Sequence, residues 1–126
     1  MFHTKAEMST IWSIKDTENH ILRIYGETQL ALVRHSLQSI ELKRLYAHYH
    51  YHEAKKLFAN FMQEELKTKH PIEVLLTNTQ EQEECRIKVE ANVLACISNM
   101  HTIPDTFAHI IYYTFGLNLD SNTKLP

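Results

Sequence analysis

The chain has 126 residues, 44% hydrophobic and 22% charged, with a formal net charge of -2. That length fits one domain, 1–126, and is enough to bury a core without disulfides or metal. Two glycines, three prolines and two cysteines exclude a turn-dense β fold, a glycine-rich phosphate loop and a disulfide framework.

Residues 1–15 read as an N-terminal arm. MFHTKAEMSTIWSIKD has no uninterrupted apolar stretch and no small-residue cleavage site, so it does not read as a signal peptide. No run approaches ~18 apolar residues, so no membrane partner is expected. With no disulfide pattern, a reducing, cytoplasmic location is expected.

A first helix should start at Asp16 or Thr17, either of which can cap an orphan backbone N–H, with Glu18 on the positive end of the dipole. Ile21, Leu22, Tyr25, Leu32 and Leu37 recur near helical spacing. Gly26 weakens that helix by ~1 kcal/mol relative to Ala. A break is expected at Ser36-Leu37-Gln38-Ser39, since one helix from residue 17 to about residue 68 would be unusually long.

A second helix is predicted from about Ile40 to Lys67, with Leu42, Leu45, Tyr46, Tyr49, Phe58 and Phe61 on its apolar face. Pro71 stops it. Residues 72–76, IEVLL, fit a helical turn or an extended linker. A third helix opens at Thr79, where Thr79 and Gln82 have capping-box spacing, and runs to about Met100. Cys85 and Cys96 lie three turns apart on it, about 16 Å, too far to pair. A fourth helix starts near Pro104 and ends at Gly116. It has no Lys, Arg or Glu from Ile103 to Leu119, which points to burial in the bundle or against another chain. Residues 117–126 read as a loose tail. The fold class expected is all-α, an up-down bundle of four main helices.

Charge is uneven along the chain. Residues 39–70 hold Lys43, Arg44, Lys55, Lys56, Lys67 and Lys69 against Glu41, Glu53, Glu64 and Glu65, and residues 71–126 are acidic. The middle is mildly basic, far from the footprint of a dedicated nucleic-acid binder.

Nine histidines supply most of the candidate chemistry. Imidazole is the side chain best suited to proton transfer and metal ligation near neutral pH. His48 and His52 are i,i+4 and share a helix face, while His50 points nearly the other way. Such a pair can hold zinc or nickel if a third ligand arrives from elsewhere. A solvated histidine face fits equally well, and no cofactor is the first expectation. Asp105 and His109 form a second i,i+4 pair, with His101 in the preceding turn. A carboxylate can orient an imidazole and raise its basicity, so these three form a candidate polar site. The competing reading is a dipole-placed Asp105 and a half-buried, satisfied His109.

The segment KVEANVLACISNMHTIPDTFAHIIYYTFGLNL resembles the closing helices of uncharacterised bacterial all-helical proteins related to the HEPN superfamily. That resemblance implies a helical bundle that often dimerises. It also implies either a ribonuclease of a toxin or antiviral system or a non-catalytic binding module. Catalytic members carry an Arg, four to six residues, then a His, a spacing that Arg44 and His50 satisfy. His50 would then be the general base and Arg44 would stabilise the phosphorane charge. The match lies in the second helix, whereas the family places it toward the end of the bundle. The expected function is therefore an interaction module for RNA or a partner protein, with metal-independent RNA cleavage and histidine-based metal binding as alternatives. A homodimer is expected, built partly from Ile103, Phe107, Ile110, Ile111, Tyr112 and Phe115.

Overall fold

A computed structural model describes residues 13–120, which are helical nearly throughout and contain no strand. The arm before Ser13 and the end of the tail, 121–126, lie outside the described residues.

Helix α1 spans Ile14–Tyr25. Its cap is Ser13, whose Oγ accepts from Asp16 N at 3.3 Å, so the helix starts slightly earlier than Asp16 or Thr17. It ends at Gly26, where φ is +89° and the glycine N–H donates to the carbonyls of Ile21 and Leu22.

Helix α2 spans Glu27–Glu65, 39 residues and about 58 Å at the helical rise. The expected break at Ser36-Leu37-Gln38-Ser39 is absent, and the chain breaks at Gly26 instead. The physical reason is local. Positive φ is available to Gly26 at little cost, whereas Leu37 is fully buried at the centre of a regular apolar stripe and nothing interrupts the ladder there. The helix is longer than expected because its buried positions stay in register. Val33, Ile40, Ala47 and Ala54 follow one another at every seventh residue and all are buried.

Helix α3 is one short piece, Pro71–Leu76, so the ambiguous IEVLL run is helical. Proline takes the first-turn position, and the His70 ring accepts from Ile72 N at 3.4 Å. Helix α4 spans Gln80–His101. Thr79 Oγ1 accepts from Gln82 N at 3.2 Å, as the capping-box spacing predicts. The reciprocal half is not made with Thr79, because Gln82 Nε2 donates to Val74 O at 3.0 Å. Helix α5 spans Ile103–Thr114, and a 3₁₀ turn follows over Leu117–Leu119.

The chain divides into two compact units. The first holds α1, the start of α2, α5 and the 3₁₀ turn. Its core is Ile21, Leu30, Val33, Leu37, Ile40 and Ile110. Burying each large aliphatic side chain is worth roughly 1.5–3 kcal/mol. Buried Gln29 adds a polar clasp. Its amide donates to Tyr113 O at 2.8 Å and to Asn118 Oδ1 at 2.6 Å, and Asn118 Nδ2 returns a bond to Gln29 Oε1 at 3.2 Å. The start of the tail is therefore tied down rather than loose. Gly116, at φ +65°, turns the chain into that clasp against the Tyr25 ring.

The second unit, Leu42–Ile103, is a helical hairpin of the rest of α2 and α4, with α3 between them in the chain. His50 meets Asn92, and Leu57 O meets the Cys85 thiol, so the two helices run antiparallel. The unit's buried apolar residues are Ala47, Ala54 and Val74. Two alanines let α4 approach closely but supply little core.

Candidate functional site

The hairpin register brings a histidine of α2 against an asparagine of α4. His50 Nδ1 lies 2.9 Å from Asn92 Oδ1. The Asn92 amide nitrogen is committed, since it donates to Lys88 O at 2.9 Å. That leaves Oδ1 facing the ring as an acceptor, so His50 carries its proton on Nδ1. Nε2 then holds the lone pair and makes no hydrogen bond among the described residues. A half-buried imidazole with a fixed tautomer and an open Nε2 is equipped to accept a proton. Asn92 had no motif to mark it. Only the register of two helices separated by 42 positions identifies it.

Arg44 is exposed on the same helix. Six residues separate it from His50, which is about 9 Å along the axis and about 120° around it. The two side chains therefore leave the helix in different directions.

His48 and His52 are both exposed, with ring centroids 4.2 Å apart in an edge-to-face arrangement. They share a face, as their spacing requires. Among the described residues no group of three or more His, Cys, Asp or Glu side chains converges to hold a metal ion. By itself the pair offers an ion two imidazoles one turn apart. Zinc or nickel held there would keep open coordination positions.

His101, Asp105 and His109 are each exposed. His101 ends α4 in the second unit, and Asp105 and His109 lie on α5 in the first. The half-buried environment considered for His109 is not observed. Its imidazole faces solvent.

The charged groups of the hairpin pair along α4. Arg86 bonds Glu83 and, at 3.0 Å, Glu90 Oε1. The hydrogen bond from Arg86 holds the Glu83 carboxyl below its ordinary range, against a small opposing effect of burial, and Arg86 is raised in turn. Cys85 and Cys96 are free thiols, in line with their three-turn separation.

Exposed apolar surface dominates the second unit. Helix α4 has no buried residue, and Ile87, Leu94, Ile97 and Met100 are each more than half exposed. On α2, Leu42, Leu45, Tyr46 and Tyr49 follow the i, i+3, i+4, i+7 pattern and are all exposed. Helix α5 is less bare. Ile110 joins the core of its own unit, while Phe107, Ile111 and Phe115 remain exposed.

Among the described residues, no helix is long and apolar enough to cross a membrane. Comparison of the chain with protein-family models, curated proteins and solved structures finds no match.

Proposed function

We propose that the chain is a helical interaction module that works as a homodimer, with the second unit as the main docking surface. The observation that carries this reading is the bare α4. A 22-residue helix with no buried residue and an apolar stripe lacks the partner that makes such a stripe stable.

The partner chosen is a second copy, on the level of its apolar stripes and on size. A two-fold arrangement sets Leu42, Leu45 and Tyr49 of α2 in one copy level with Leu94, Ile97 and Met100 of α4 in the other, apolar against apolar, twice. The hairpin face, about 33 Å by about 20 Å, has a footprint near 650 Å². A stable interface removes about 800 Å² per partner, which a corrugated face of that size supplies. The resemblance to HEPN bundles agrees with a dimeric module, in a bacterial cytoplasmic setting of defence or toxin–antitoxin type. Light scattering tests the reading. Wild-type protein should give a dimer mass and Ile97→Glu a monomer mass. A wild-type monomer contradicts it.

A second reading, metal-independent RNA cleavage, is favoured by the open Nε2 of His50. Arg44 leaves the helix in another direction, so this reading needs the Arg44 of a second copy opposite His50. It therefore also depends on assembly.

A further inference from the structure

The α3 end of the hairpin forms a cavity of about 380 Å³, open to solvent on one side. Phe58, Phe61 and Met62 of α2, Val74 of α3, and Cys85 and Val89 of α4 line it. Three separate elements wall it, and two aromatic rings face it. Its size falls within the roughly 300–1,000 Å³ of ordinary small-molecule sites.

The charged groups that line it are paired with each other, and Gln82 is turned toward α3. Gln82 spends its amide donor on Val74 O at 3.0 Å, which also pins α3 in place as a wall. Arg86 is held by Glu83 and Glu90. The guanidinium is thus matched by two carboxylates and offers no unpaired positive charge to an acidic head group. A carboxylate or phosphate entering here would meet Glu90, and desolvating it would go uncompensated. The Cys85 thiol, on the cavity wall, makes its contact with Leu57 O at 3.9 Å.

We propose that this cavity binds one neutral, apolar small molecule of aromatic or short aliphatic class. The proposal does not rest on the dimer reading, because every lining residue comes from one hairpin. The docking stripes of α2, Leu42 to Tyr49, occupy the opposite end of that hairpin, given the pairings of His50 with Asn92 and Leu57 with Cys85.

The probe is N-phenyl-1-naphthylamine, a neutral fluorophore that brightens in apolar surroundings. Wild-type protein should bind it saturably, at one probe per chain. Val89→Phe narrows the cavity with an apolar ring and should weaken binding at least tenfold with helicity unchanged. In a Cys96→Ser background, bound probe should slow maleimide labelling of Cys85 several-fold. The labelling experiment decides the matter on its own if Val89→Phe fails to fold. Non-saturable binding, equal affinity in a folded Val89→Phe, or an unprotected Cys85 overturns the proposal. Tighter binding of an anionic or cationic naphthalene analogue overturns the neutral class. Loss of probe binding as the protein self-associates would mean that a second copy fills the cavity, and also overturns it.

Discussion

His50 of α2 and Asn92 of α4 are joined side chain to side chain at 2.9 Å, across a separation of 42 residues. The bond fixes the imidazole tautomer and the register of the hairpin at once. Asn92→Leu removes the acceptor while keeping the volume. The expected loss is about 1 kcal/mol, the net worth of one neutral hydrogen bond. Thermal unfolding followed by circular dichroism measures it. An unchanged midpoint would show that the contact carries no stability.

The cleavage reading makes a separate prediction at the same residue. If His50 is a general base, single-stranded RNA is cut without added metal, and His50→Ala abolishes cutting at unchanged melting temperature. Loss of stability with loss of cutting would make the residue structural. No cleavage of several RNAs by the wild type leaves the module reading alone.

Gly116 should tolerate no side chain. Its φ is +65°, and a Cβ built there would lie 2.6 Å from the Tyr25 ring. Gly116→Ala combines an unfavourable backbone region with a clash and should cost about 1–3 kcal/mol. A double variant, Gly116→Ala with Tyr25→Ala, should recover the part due to the clash. Chemical denaturation of the four proteins, Tyr25→Ala alone included, separates the two contributions.

The clasp of the first unit gives a further expectation. Asn118→Ala leaves the buried Gln29 amide without its reciprocal partner, which should destabilise the unit by about 1–3 kcal/mol. Gln29→Leu with Asn118→Leu replaces both amides by apolar groups and should cost less than Asn118→Ala alone. The reverse order would mean that the amide pair does not act as a closed unit.

Acidification should loosen the start of α4. The hydrogen bond from Arg86 lowers the Glu83 carboxyl, so its contribution is present above the unfolded carboxylate value of about 4.3. It is lost as pH falls through the lower folded value. Glu83 and Arg86 are substantially exposed, so the effect is small and fades with added salt. Glu83→Gln should remove this part of the acid dependence. An identical pH profile in the variant would contradict the assignment.

Local signals in the chain foretold the parts they control. Thr79 caps α4, Gly116 follows α5, and the cysteines stand apart because helical rise alone keeps them so. The serines at 36 and 39 misled, since serine is tolerated in a helix whose neighbours Leu37 and Ile40 are held in a core. The partners of His50 and Gln29 were not legible. They lie 42 and 84 or more residues away, and their meeting depends on how helices pair rather than on any local spacing. The scarcity of core in the second unit was hidden for the same reason. Ile87, Leu94 and Ile97 recur at helical spacing in the sequence, and only the packing shows them bare.

The docking claim is tested most directly by amide hydrogen exchange at increasing protein concentration. A second copy on the hairpin adds protection only where it docks. Amides of α4 around Leu94 and Ile97 should slow progressively from dilute to concentrated protein, while those around Leu30, Val33 and Leu37 in the first unit stay unchanged. Exchange in α4 that is the same at every concentration would contradict the account.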